Sequence, residues 1–179
     1  MKILWIVLIM LFIATVLAVS CRGQNGIPAT VASVDLERYS GRWYEISKIP
    51  NRFQRVCTGN TTAQYSIRGD GRIDVVNRCK KADGSVEEAK GIARVVDATT
   101  NSKLKVSFVR FLWRWWFWGD YWILGLGKDY DYAIVGTPNR KYGWILSRNS
   151  EINPDKYSRL IEELKNLGYN PADFERTRH

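Results

Sequence analysis

The sequence predicts a mainly β protein, an eight-stranded antiparallel up-and-down β-barrel with one C-terminal α-helix packed outside it. Three observations lead there. Between residues 43 and 148, eight short strand-like runs follow one another at fairly regular spacing, each joined to the next by a short link. No block of sequence recurs at a fixed period, which argues against a solenoid or propeller. Helical periodicity appears once, after the last run, so the helix has no partner but the outside of the sheet.

The chain opens with MKILWIVLIMLFIATVLAVSC. Lys2 precedes an apolar run from Ile3 to Val19, which as a helix reaches about 25 Å, short of a hydrocarbon core of roughly 30 Å. Residues 1–20 therefore read as a signal peptide. Cys21 directly after Ala18-Val19-Ser20 resembles a bacterial lipobox, with Ala18 where leucine is usual; there the cysteine becomes the lipidated N-terminus. Ordinary signal cleavage and an uncleaved anchor are the alternatives. Arg22, not aspartate, follows Cys21, and by resemblance to sorting signals this directs a lipid-anchored protein to the cell outer membrane. Residues 21–33 are small and polar, with Gly and Pro, and read as a flexible lipidated tether ahead of a domain spanning 34–179.

The strand-like runs are WYEISKI (43–49), TAQYSI (62–67), RIDVVNR (72–78), EEAKGIARVVD (87–97), KLKVSFV (103–109), YWILGLG (121–127), YAIVGTP (132–138) and YGWILSR (142–148). Gly69-Asp70-Gly71 marks a tight hairpin between the second and third. Asn153-Pro154-Asp155 opens the helix, Tyr157, Leu160, Ile161, Leu164 and Leu167 form its apolar stripe, and Gly168 stops it.

Composition excludes several functions. Hydrophobic content of 45% with 25% charged residues describes a folded domain. The net charge of +9 is spread along the chain, which speaks for a basic solvated surface and against nucleic acid. The single histidine, His179, leaves no Ser-His-Asp or Cys-His arrangement, and no CxxC, HExxH, phosphate loop or dinucleotide motif occurs. Glu87-Glu88 and Glu162-Glu163 are sequence neighbours and do not face each other as an acid/base pair. No enzyme, metal or cofactor is expected.

VDLERYSGRWYEI resembles the opening motif of the lipocalins, with its Gly-x-Trp element at Gly41, Arg42 and Trp43. YGWILSR sets Arg148 on the last strand, where family members stack an arginine over that tryptophan. The middle motif is imperfect: Asp129-Tyr130 and Asp131-Tyr132 lack the usual threonine. The wording is similar to bacterial outer-membrane lipoprotein lipocalins and their apolipoprotein D-like relatives. That resemblance implies a barrel holding fatty acid or lysophospholipid for envelope maintenance, and it admits a homodimer. Gly41, Trp43 and Arg148 are expected to be structural, the cation over the indole contributing about 0.5 to 2 kcal/mol. Glu45 shares the inward face with Trp43 by strand alternation, and needs either a structural salt bridge or a wet, ligand-holding cavity, where it would be a ligand-binding residue.

FVRFLWRWWFWGDYW (108–122) holds nine aromatic residues. In an up-and-down barrel closed at Trp43, the link after the fifth strand lies at the open mouth, with link 50–61 beside it. Residues 110–120 are thus a rim loop, whose aromatics either line the ligand pocket or dip into lipid, the alternative being that the rings pack on one another and cap the barrel. Phe108 and Trp122 are the expected pocket residues at the strand ends; Trp113, Trp118 and Tyr121 join them. Arg110 and Arg114 are placed on headgroups, and Trp115, Trp116 and Phe117 at the tip. Cys57 and Cys79 flank the 69–71 turn and, in an exported protein, read as a disulfide of about 3 kcal/mol; a bulge or slant must bring them level. The competing reading is a structural or adhesive envelope protein whose barrel is filled by its own side chains.

Overall fold

The computed structural model describes residues 26–179. A short helix α1 (Leu36–Tyr39) leads into strands β1 (Gly41–Lys48), β2 (Gly59–Ile67), β3 (Ile73–Lys80), β4 (Val86–Val95) and β5 (Lys103–Ser107). A small hairpin, β6 (Val109–Phe111) and β7 (Arg114–Trp116), precedes β8 (Gly119–Leu126), β9 (Tyr132–Gly136) and β10 (Gly143–Ser147). Helix α2 (Pro154–Asn166) and a two-residue strand, β11 (Glu175–Arg176), complete the chain. Every pairing is antiparallel and β10 pairs back onto β1, so eight strands close into a barrel in the order expected.

Alternation divides the apolar residues between two faces. Trp43, Tyr65, Ile73, Val75, Ala93, Leu104, Ile123, Val135 and Leu146 cluster inside the barrel. Ile46, Leu124, Ile134 and Ile145 point outward and are covered by Leu160 and Leu164 of α2. Asn153 caps that helix by accepting from the amides of Asp155 and Lys156, Pro154 takes its first position, and Gly168 ends it at φ +83°.

Three features depart from expectation. Thr30 and Val31 are held rather than free: the Thr30 hydroxyl meets that of Ser102, and the Val31 amide donates to the Ile123 carbonyl. Within the expected tether, 21–33, these two residues are thus bound to the barrel. The link after β5 is a hairpin, not a loop. A bulge at Ile46 interrupts β1, and beyond it β11 rather than β2 pairs with Ser47 and Lys48. The expected lipidation site, Cys21, and the signal peptide lie outside the described residues. Among the described residues no helix is long and apolar enough to cross a membrane.

Candidate functional site

The closed end is a set of satisfied polar groups around one indole. Trp43 is fully buried and its Nε1 donates to the Tyr39 carbonyl at 2.8 Å. The Arg148 guanidinium lies 3.8 Å from the Trp43 ring centroid. It donates to the carbonyls of Arg38, Tyr39, Arg42 and Tyr130 at 2.6 to 3.2 Å. Gly41 holds φ +94°, and a Cβ there would sit 3.4 Å from Arg148 Nη1. Its freedom of backbone conformation, more than crowding by a neighbouring strand, explains the glycine.

Above the indole, three tyrosines bridge the lumen. Tyr121 on β8 meets Tyr65 on β2, from opposite sides of the barrel, at 2.9 Å between hydroxyls, and meets Tyr39 at 2.7 Å. Burial holds all three phenols in the neutral form: Tyr65 is pushed up to about 12, and Tyr39 and Tyr121 are raised as well. The lower lumen is filled.

Toward the mouth the wall changes. Ala63, Gly91 and Gly119 replace larger side chains on the inner face, and Ala89, opposite Asn77, is exposed there. Phe108 lies against this wall: a Cβ on Gly91 would come within 2.6 Å of its ring. Phe108 remains 40% exposed. Glu45 is buried and held by the Lys48 ammonium at 3.0 Å, the Gln54 amide at 2.6 Å and the Thr177 hydroxyl at 2.7 Å. Of the two ways to satisfy Glu45, the ion pair is the one used. Gln54 also accepts from Trp144 Nε1, which ties the 51–54 loop across the rim. A Cys57–Cys79 disulfide with Cα atoms 5.5 Å apart fastens that loop to β3. The register shift in β2 between Gly59 and Thr62 supplies one residue of the offset, and the turn before β2, closed by the Cys57 amide on the Gln54 carbonyl, supplies the rest.

The aromatic hairpin stands off the mouth. Leu112 and Trp113 turn it with φ of +45° and +67°, and Phe117 follows at +57°. Trp113 is 86% and Phe117 83% exposed, with Phe111, Leu112 and Trp116 also bare. The tip is thus Leu112-Trp113; Trp115, Trp116 and Phe117 lie on the returning side. Arg110 and Arg114 face the rings of Trp113 and Trp116 at 5.9 and 5.7 Å.

The predicted pocket residues separate. Tyr121 and Phe108 point inward. Trp122 packs outside, with the helix-facing cluster and under Lys103 at 4.9 Å. Trp118 lies under Arg94 at 4.6 Å, also outside. The cause is parity: Tyr121 and Ile123 face in, so their even-numbered neighbours face out. Trp113 is on the hairpin, away from the lumen. Tyr39, Tyr65 and Gln54 were missed. Tyr39 and Gln54 lie outside the strand runs, where alternation gives no direction; Tyr65 was legible from its place two residues beyond Ala63.

A family model for the lipocalin-like domain matches residues 34–179. The chain belongs to the lipocalin family. This lipocalin is 37% identical to temperature-induced lipocalin-1 of Arabidopsis thaliana, over 82% of this chain and 80% of that one. It is 34% identical to outer membrane lipoprotein Blc of Vibrio cholerae, over 90% and 92%, and 35% identical to apolipoprotein D of Macaca fascicularis, over 81% and 75%. Among solved structures, insecticyanin from the tobacco hornworm Manduca sexta superposes with a TM-score of 0.69 at 22% identity, over 87% and 85% of the two chains.

Proposed function

We propose that this lipocalin is a non-enzymatic, lipid-binding lipoprotein that stores or transports fatty acids or lysophospholipids for envelope maintenance. The observation that carries the reading is the change of wall above the tyrosine bridge. There Ala63, Ala89, Gly91 and Gly119 leave the inner face thin, and Phe108 stands half-exposed over it. An acyl chain laid there would gain about 0.8 kcal/mol per buried CH₂ before ordering costs. The outer-membrane lipoproteins among its relatives support a lipid-anchored place in the outer membrane through Cys21. The bare aromatic hairpin, with two arginines for phosphates, supports a second, reversible contact with the bilayer.

The filled-barrel reading has its own support. Trp43 and the tyrosine bridge occupy the lower lumen, and clefts of about 440 and 220 Å³ lie on the outer surface rather than inside. Delipidation followed by titration with a fluorescent fatty acid separates the two. Saturable one-to-one binding is expected; no binding would leave the structural or adhesive role. For the bilayer contact, vesicle binding should fall when Trp113, Trp116 and Phe117 become serine, and equal binding by both proteins would remove the hairpin from the account.

A further inference from the structure

The larger outer cleft, about 440 Å³, sits at the mouth rim between the starting end of β2, the last residues of β3 and the C-terminal segment. Thr58 to Asn60, Lys80, Lys81, Arg178 and His179 line it, and no Asp or Glu does. Lys81 has a loose partner in Glu87 at 3.7 Å; among the described residues neither Lys80 nor Arg178 is ion-paired. Three cationic residues thus line a concave site to which no acidic side chain contributes.

The site is held by backbone. Asn60 adopts φ +50° and its amide donates to the Arg178 carbonyl at 2.6 Å. Gly59 makes this approach feasible, since a Cβ there would lie 2.6 Å from the same carbonyl. One residue earlier, the Thr177 amide donates to the Ile46 carbonyl at 3.0 Å and its hydroxyl reaches buried Glu45. Residues 175–178 therefore complete the barrel wall where β1 and β2 part, with Thr177 turned to the lumen side and Arg178 to the cleft. One strand's thickness separates the two.

We infer that this cleft is the headgroup site of the carrier, taking the anionic end, carboxylate or phosphate, of an amphiphile whose chain lies in the upper lumen. The inference rests on the lipid-binding reading above. Glu45 and Lys48, on the lumen side of the segment, are spent on each other and offer an anion no free partner, while the three cations of the cleft do. Arg110 and Arg114 stand on the opposite wall, turned to their own tryptophans.

The test uses the delipidated full chain, a pyrene-labelled fatty acid and the methyl ester of the same acid. In Lys80→Ser/Lys81→Ser/Arg178→Ser, whose replaced side chains are exposed or half-buried and, among the described residues, form no ion pair but Lys81–Glu87, the acid's dissociation constant should rise about tenfold. The ester's should stay put, and Arg110→Ser/Arg114→Ser should change neither. Millimolar inorganic phosphate should leave the acid in place. Equal acid affinity in the triple variant and the parent, with the ester still saturable, overturns the cleft alone. Displacement of the acid by phosphate would make it a free-anion site instead. Failure of the parent to bind even the ester would sink the lumen reading itself.

Discussion

The two ends of the barrel use the same pair of residue types to opposite effect. At the closed end Arg148 lies 3.8 Å over a fully buried Trp43 and spends its donors on four carbonyls. At the mouth, Arg110 and Arg114 sit nearly 6 Å from exposed indoles. The first arrangement is a clamp: desolvation strengthens the cation–ring attraction, and the guanidinium's fork satisfies carbonyls from α1, β1 and the β8–β9 link. Burial is also what draws the Arg148 pKa down, though not far enough to discharge an arginine. The second leaves both partners wet and available. Composition alone does not separate a structural Arg–Trp pair from a docking one; the number of backbone carbonyls it satisfies does.

The sharpest way to break the comparison is to truncate one tryptophan at each end. Trp43→Ala should cost about 3 to 5 kcal/mol, because it empties the floor of the core and strands Arg148. Trp113→Ala should stay within about 0.5 kcal/mol. Urea unfolding of both variants gives the contrast directly; comparable losses would refute it. Next in size is the Cys57–Cys79 bridge, the one covalent restraint the mouth has among the described residues. Replacing both cysteines by serine should lower stability by about 3 kcal/mol. It should also leave the near-ultraviolet circular dichroism of the Trp43 end unchanged. Mass measurement before and after reduction verifies the bond.

The tyrosine bridge titrates. Tyr65 ionises near 10 in an unfolded chain and near 12 when folded, because burial disfavours phenolate. The folded pKa is the higher one, so the stabilisation is whole below pH 10 and is lost as pH rises toward 12. Over that window unfolding free energy should fall by about 2 to 3 kcal/mol, and further through Tyr39 and Tyr121, which shift the same way. Tyr65→Phe should flatten part of the decline. An unchanged slope would mean the bridge opens to solvent.

Much of this was legible in the chain. Gly69-Asp70-Gly71 and the alternating runs around it fixed β2 and β3 to within a few residues, and Asn153-Pro154 with Gly168 bounded α2 at both ends. Gly41, Trp43 and Arg148 were readable because a motif names them. The site was less so. Parity along β8 depends on which residue faces in, and with aromatics at nearly every position from 115 to 122 hydrophobicity could not choose; only the cross-strand partners did, Lys103 opposite Trp122 and Val106 opposite Gly119. The cleft beside Arg178 was invisible for another reason. Its cations come from positions about a hundred residues apart, and the segment joining them has no strand signal of its own, borrowing its conformation from the gap that the Ile46 bulge leaves in β1.

A small gain in stability is the most telling about the hairpin. Leu112 and Trp113 both hold positive φ, as a two-residue turn between β6 and β7 demands, although Asn-Gly suits that geometry far better. A turn selected for stability would not keep a leucine and a tryptophan there. Leu112→Asn/Trp113→Gly should therefore raise stability by a few tenths to about 1 kcal/mol while removing the two most forward apolar side chains. If the tip serves a bilayer, the same variant binds vesicles more weakly than the parent even though its hairpin is better formed. Tighter folding with undiminished vesicle binding would show that the strain at the tip serves something else.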